Sequence, residues 1–141
     1  MAIDNIFNIA GSGMNAQMVR LNTTASNLAN AGVVAGSEKD AFHAKRAVFE
    51  TLVNANLQGY SKDFVGGVKV SQIVDDKMKA KQIHDPMNIL ADKDGFVYGS
   101  NVSEVTEMVE MMTAARSYEY NVKVMTTAKQ LMLRTLEISK V

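Results

Sequence analysis

Apolar and small residues recur at helical spacing near the start of the chain. From residue 6 to residue 28 they stand three or four positions apart, which is the spacing of one face of an α-helix. Asp4 is suited to an N-cap, and Gly32 to the end of a helix. The pattern therefore predicts a helix from Asp4 to Asn30. Its apolar face consists of Ile6, Ala10, Met14, Met18, Leu21, Ala25 and Leu28.

A longer pattern of the same kind occupies the end of the chain. No proline or glycine occurs from Asn101 to Val141, and Asn101 with Glu104 resembles a capping box. Steps of three and four alternate along a heptad stripe with one lysine in it. A second stripe, from Val102 to Met112, runs into the first and widens the apolar face. The heptad positions are Met108, Met111, Ala115, Tyr118, Val122, Met125, Lys129, Met132 and Leu136.

The segment between the two predicted helices has a different composition. Residues 33–100 contain the single proline and six of the nine glycines. The alternation of residues 68–71 and the apolar run 96–98 predict two strands, each preceded by a turn. Residues 42–53 fit either a helix or a strand. The sequence thus predicts a small, loop-rich β segment.

These elements predict a mainly α fold. Residues 1–32 and 101–141 are expected to form a coiled-coil-like pair of terminal helices, which is the core domain, with residues 33–100 as the β segment between them. Gly11 and Gly13 weaken the first helix by about 1 kcal/mol each relative to alanine, so a packing partner has to compensate.

The predicted second helix is too long to be covered by its own domain. About 38 helical residues span about 57 Å, whereas a compact domain of this size has a radius of gyration of about 14 Å. The first helix can cover only part of that length. The remaining apolar surface requires contact with another chain, so the sequence indicates a subunit of an assembly.

Composition narrows the function classes. The formal net charge is zero, which argues against a nucleic-acid partner. Cysteine is absent, and His43 and His84 stand outside any metal-ligand spacing, so no metal or cofactor is expected. No clustered acid–base set predicts an enzyme or a small-molecule substrate. The N-terminus lacks the basic and apolar regions of a signal peptide.

One acidic stretch could be taken for a calcium loop. Asp92, Asp94 and Gly95 have part of the required spacing, but Leu90 occupies the first ligand position, and Asn101 stands where the closing glutamate is needed. A turn is the better prediction.

Several blocks of the chain resemble the flagellar axial proteins, the family of rod, hook and hook-associated subunits. The resemblance begins at residues 25–30, Ala-Ser-Asn-Leu-Ala-Asn, and extends upstream to residues 10–22. The blocks at residues 42–49, 66–70, 85–97 and 101–133 narrow it to the proximal-rod subunits. Because these blocks keep their order and spacing over nearly the whole chain, the resemblance is specific.

The resemblance implies a structural subunit of the proximal rod in the basal body, exported by the flagellar type III apparatus without a cleaved signal peptide. Such a subunit forms part of the drive-shaft that transmits torque to hook and filament. The implied partners are copies of itself, other proximal and distal rod subunits, the rod-base adaptor at the membrane ring and the export apparatus. The terminal helices are implied to form the inner tube.

Two groups of residues are predicted to carry these contacts. Phe49 and Val53 resemble an export-gate recognition element, although a core role for Phe49 fits the short pattern better. Asn27 and Asn30 are as well explained by capping of the helix end as by contact with a neighbour. The predicted subunit interface consists of Ile6, Ala10, Leu21, Ala25, Asn27, Leu28, Asn30, Met108, Met112, Ala115, Tyr118, Val122, Met125 and Met132.

Three alternatives remain open at this point. A membrane-active amphipathic helix is disfavoured, because the last helix lacks tryptophan and carries charges of both signs. A small enzyme with an unrecognised site has no supporting residue cluster. Another rod subunit of the same family is disfavoured by the middle blocks.

Overall fold

Two long helices stand near the ends of the chain, and the part of the chain that the structure describes has five short strands between them in sequence. The computed structural model describes residues 2–52 and 66–138. This order confirms the predicted helices and the small β segment. The elements are α1 (Ala2–Ala29), β1 (Val34–Ala35), β2 (Lys45–Thr51), β3 (Val68–Asp75), β4 (Lys81–His84), β5 (Phe96–Gly99) and α2 (Glu104–Ile138).

The helix ends differ from the predicted caps. α1 begins at Ala2, so Asp4 lies inside the first turn and is not the N-cap. In that position its negative charge interacts favourably with the helix dipole. The predicted capping box is also wrong, because the Asn101 side chain bonds to the Ala44 backbone N–H instead. Ser103 precedes α2, and its carbonyl accepts a 2.9 Å hydrogen bond from the Glu107 N–H.

The strands within the described ranges form two small sheets. β1, β5 and β4 pair in that order and antiparallel, with Val97 opposite Ile83; β2 pairs with β3. The predicted strands at residues 68–71 and 96–98 are confirmed, and the described part of residues 42–53 contains a strand rather than a helix. β1 and β4 were not predicted. β1 has only two residues, and β4 has one apolar residue, Ile83, among polar ones, so neither shows a strand pattern in the sequence.

A tight turn precedes β5, as predicted for the acidic stretch. Gly95 adopts a positive φ of 79°, a conformation that favours glycine. The Asp92 carboxylate accepts hydrogen bonds from the N–H groups of Phe96 (2.8 Å) and Asp94 (3.0 Å). These bonds stabilise the charged form, with the bond from Phe96 contributing most, and they lower the pKa of Asp92.

The chain divides into two compact units, which together contain all of the described residues. Unit 1 contains residues 2–19, 48–52, 66–72 and 113–138; unit 2 contains residues 20–47 and 73–112. The buried residues of unit 1 are all alanines, at positions 10, 16, 114 and 128, among the residues described. Unit 2 buries the apolar residues Ala41, Ala44, Val97 and Val102 together with five polar ones. The predicted division at residues 32 and 101 stays a prediction.

Candidate assembly interface

The last helix buries a narrow heptad stripe made largely of small and polar residues. Between residues 107 and 128 a row of buried or half-buried positions recurs in steps of four and three, and Glu110, Ala115 and Ser117 beside this row are also half-buried. The predicted heptad period is therefore present, but at several steps the buried residue precedes the predicted one by one position, as Ala114 precedes Ala115. The stripe consists of Glu107, Met111, Ala114, Tyr118, Asn121, Met125 and Ala128.

The bulky apolar residues of α2 lie mostly outside this stripe and are exposed. Most of them fall into two groups, one near each end of the helix, and Tyr120, Val122 and Val124 lie between the groups. We call the first group the N-terminal stripe; it contains Val105, Met108, Val109 and Met112. The second contains Leu131, Met132, Leu133, Leu136 and Ile138. Exposed apolar surface of this extent is unusual for a monomer and characteristic of a protein–protein contact.

The residues predicted for the subunit interface fall into three classes of exposure. Ala10 and Asn27 are buried within the chain. Those half-buried are Leu21, Leu28, Asn30, Ala115, Tyr118 and Met125. Those exposed are Ile6, Ala25, Met108, Met112, Val122 and Met132. The exposed ones are accessible to another chain as they stand, and their interface role stays a prediction.

In unit 1, α1 approaches α2 closely at a glycine. A Cβ atom on Gly13 would lie 3.1 Å from the Asn121 Nδ2, whereas one on Gly11 would have nothing within 4 Å. Asn121 is held by a 2.9 Å hydrogen bond from its Nδ2 to the Ser117 carbonyl. Gly13 thus leaves room for Asn121, and the approach compensates for the poor helix propensity of that glycine.

In unit 2, the Asn27 side chain joins α1 to β2 and to α2. Its Nδ2 donates to the Lys45 carbonyl at 2.9 Å and to Glu107 Oε2 at 3.0 Å. Its Oδ1 accepts a 2.8 Å bond from the Lys45 N–H. The amide therefore pairs with Lys45 as a neighbouring strand would, and it fixes the start of β2 against the helices.

A buried charge lies beside this amide. The Glu107 side chain is fully buried, and Arg46 Nη1 lies 2.8 Å from its Oε1. Arg46 Nε also lies 3.7 Å from Asp76 Oδ2. A second ion pair, Arg20 with Glu110, joins α1 to α2 in the same unit. Transfer of a carboxylate from water into the protein interior is unfavourable unless the charge is paired. Arg46 and Asn27 together offset this cost for Glu107.

The Asn101 side chain connects two further backbone segments of unit 2. Its Oδ1 accepts a 2.7 Å bond from the Ala44 N–H, and its Nδ2 donates to the Met78 carbonyl at 2.8 Å. Sequence reasoning missed the roles of Asn101, Arg46 and Glu107. For Glu107 a signal existed, because it stands seven positions before Ala114, in heptad register with the small residues that α2 buries.

Asn30 and the residues of the suggested export element remain to be located in the structure. Asn30 Nδ2 donates to the Ser26 carbonyl at 2.7 Å, within the last turn of α1. Phe49, of the suggested export element, lies on β2 and is partly exposed; Val53 lies outside the described residues.

The described residues contain no group of three or more histidine, aspartate or glutamate side chains arranged to hold a metal ion. Within residues 2–52 and 66–138, neither helix is long and apolar enough to cross a membrane.

Comparisons with known proteins give consistent matches. The family model for flagella basal body rod proteins matches residues 7–36, and the model for the C-terminal part of flagellar basal body rod FlgEFG proteins matches residues 93–138. The flagellar basal-body rod protein FlgC of Escherichia coli O6:H1 is 45% identical over 99% of this chain and 100% of its own length. The FlgC proteins of Salmonella typhimurium and Aquifex aeolicus are 42% and 39% identical, each over 99% of this chain and at least 99% of their own length.

Proposed function

The chain belongs to the FlgC family of flagellar basal-body rod proteins, and we propose that it builds the proximal part of that rod by packing its terminal helices against other subunits. Members of this family are structural rod proteins and not enzymes. A rod protein assembles with other rod components. The partners we propose are copies of this chain, neighbouring proximal and distal rod subunits, and the rod-base adaptor at the membrane ring.

The observation that carries the proposal is the N-terminal stripe of α2. α2 is 35 residues long, about 52 Å at 1.5 Å per residue. The apolar side chains of its N-terminal stripe are exposed. Burial of these side chains between subunits stabilises by about 25 cal/mol per Å² of apolar surface. A helix with a matching apolar stripe can bury these side chains along their length. A coiled-coil-like contact between terminal helices is therefore the proposed mode of assembly.

The buried polar junction at Asn27 supports a role in a rigid array. Bonds from one side chain to two other elements leave the start of β2 little freedom relative to the helices of unit 2. Long helices packed side by side resist bending and twisting better than isolated ones do. We therefore propose that the assembled rod transmits torque through such helices.

Export by the flagellar type III apparatus, without a cleaved signal peptide, is part of the same proposal. Its support is the family membership, together with the position of Phe49 on a strand where its ring is partly accessible. A substitution of Phe49 by alanine that left export into the culture medium unchanged would exclude it from recognition at the export gate.

Deletion of the gene, followed by electron microscopy of purified basal bodies, tests the assembly role. We expect membrane rings without rod or hook, and loss of swimming. Intact basal bodies would contradict the proposal. Complementation with the native chain serves as the control.

A double substitution tests the N-terminal stripe itself. Met108→Asp with Met112→Asp adds two charges at exposed positions, so the isolated chain should lose only about 1 kcal/mol of stability, through the lower helix propensity of aspartate and the repulsion of like charges four residues apart. Rod formation should nevertheless be lost, because the charges would be buried against the partner. Thr106→Asp, an exposed polar position on the same helix, is the matched control. Normal rods from the double variant would exclude this stripe from the contact.

A further inference from the structure

The loop between β4 and β5 carries two apolar side chains that contact almost nothing in their own chain. Met87 is 95% exposed and Ile89 is 100% exposed. We call this pair the apolar tip. A single exposed apolar residue is ordinary on a protein surface. Two of them with almost full exposure, one residue apart on an ordered loop, require a different explanation.

The backbone of this loop is held in place on both sides of Ile89. The Asn88 N–H donates to the Asp85 carbonyl at 3.2 Å, and the Ala91 N–H donates to the Asn88 carbonyl at 3.0 Å. The Asn88 Oδ1 accepts a 3.1 Å bond from the Leu90 N–H. Because the loop is already ordered, docking of the tip would lose little conformational entropy.

The backbone of the loop also rests on a residue distant in sequence. A Cβ atom on Gly36 would lie 2.9 Å from the Leu90 carbonyl oxygen, so the glycine allows the loop to approach this closely. The loop is therefore supported by unit 2 while the apolar tip projects from it.

Unit 1 of the same chain contains an apolar groove of about 320 Å³. It is lined by Ile6 of α1 and by Lys123, Val124, Thr127, Ala128 and Leu131 of α2. We call this the helix groove. Its volume is at the lower end of the range for ligand pockets, about 300–1,000 Å³, and suits one or two side chains.

The charges around the two surfaces are opposite. Between residues 85 and 95 the chain has three aspartates and one lysine, a net charge of −2. Between residues 120 and 136 on α2 it has Lys123, Lys129 and Arg134 and no acidic residue, and Glu119 and Glu137 bound this basic segment. Opposite fields steer the encounter of two copies and disfavour a contact between like surfaces.

We propose that the apolar tip of one copy inserts into the helix groove of a second copy. The inference rests on the proposed assembly role and names one contact within it. Because tip and groove are different surfaces, the contact is heterologous. Each docked copy retains a free tip or a free groove, so the contact can propagate along an open helical array and does not end at a dimer.

Disulfide crosslinking tests the contact directly, since the native chain contains no cysteine. Chains with Ile89→Cys and Thr127→Cys together are expressed in cells that lack the native gene. Isolated basal bodies are then oxidised and analysed by immunoblotting. We expect a ladder of crosslinked multimers. The control combines Thr127→Cys with Met78→Cys, another exposed apolar position in unit 2, and should give several-fold weaker bands.

Two results would overturn the contact. One is a ladder no stronger than that of the control in basal bodies that contain rods; the proposed assembly role would then stand while the contact failed. The other is a dimer from Ile89→Cys alone as strong as any band of the double variant, which would indicate that tips meet tips.

A second comparison covers the case in which the cysteine variant does not assemble. Ile89→Val should retain rods and swimming, whereas Ile89→Asp should lose both while the purified chain melts at the same temperature. Normal rods from Ile89→Asp would exclude the tip from assembly. Loss of rods in the deletion strain, measured separately, tests the assembly role independently of the tip.

Discussion

Asn27 and Glu107, 80 residues apart in sequence, meet through a 3.0 Å hydrogen bond between the amide Nδ2 and the carboxylate Oε2, and both side chains are fully buried. Asn27 belongs to the stretch that resembles the family signature at residues 25–30. Its amide also pairs with both backbone groups of Lys45. Within this signature, Asn27 therefore has a defined physical role, because its side chain connects α1, β2 and α2 in unit 2.

Asn27→Ala should destabilise the chain by about 2–4 kcal/mol, because it leaves two backbone groups of Lys45 and one oxygen of Glu107 without their partner in a buried site. Asn30→Ala removes one bond within the last turn of α1 and should cost about 1 kcal/mol or less. Urea unfolding of the two purified variants measures the difference. Equal losses would mean that the junction contributes nothing beyond a local cap.

Arg46→Met should destabilise the chain by about 2–3 kcal/mol, because the buried carboxylate of Glu107 loses its cation. The loss is smaller than for a fully buried pair, since the Arg46 side chain is 40% exposed. Lys69→Met, which breaks the exposed pair with Glu50, should change stability by about 0.5 kcal/mol or less.

A double-mutant cycle separates the charge of Glu107 from its packing. Glu107→Gln in the Arg46→Met background should recover part of the loss, because the neutral amide no longer requires a cation. An additive cycle, with no recovery, would argue against an energetic coupling between these two residues.

The two glycines of α1 should respond differently to alanine. Gly11→Ala should stabilise the chain by about 1 kcal/mol through helix propensity, since the added methyl group enters open space. Gly13→Ala should gain less or lose stability, because its methyl group would press on Asn121. Thermal unfolding of both variants tests this. In the Asn121→Ala background the two substitutions should become equivalent; a persistent difference would point to another contact.

Asp92→Asn should flatten the dependence of stability on pH in acid. Hydrogen bonds to its carboxylate lower the pKa of Asp92 in the folded chain. The stabilisation is therefore present above the pKa of the unfolded chain, about 4, and is lost as the pH falls through the lower folded value. Melting temperatures between about pH 5 and pH 2 measure it. Asp94→Asn is the matched control, and identical curves for the native chain and Asp92→Asn would contradict the assignment.

Much of the local structure was predictable from the sequence. Both helices have apolar periods that no other element explains, and the strands at residues 68–71 and 96–98 alternate or follow turn residues. The family was predictable too, because blocks of sequence carry it. The interface residues could be proposed but not ranked, since the chain has more apolar positions on α2 than one partner can cover.

Periodicity marks Glu107 as a position that α2 buries, but it does not reveal which residues of unit 2 bind to it. Asn27, Arg46 and Glu107 come from three elements, and nothing local in the sequence relates them. Asn101 shows the same limit, because it fits a helix cap locally but binds the Ala44 backbone in the structure.

The sequence by itself determined the two terminal helices with a β segment between them, the heptad period of the last helix and the family, since each depends on residues close together along the chain. Only the tertiary structure decided which face of α2 is buried within the chain. The buried stripe contains Ala114, Asn121 and Ala128, and α1 approaches Asn121 so closely that Gly13 is needed to leave room for its side chain. The bulkier side chains of α2 remain outside, where contact with another subunit can bury them.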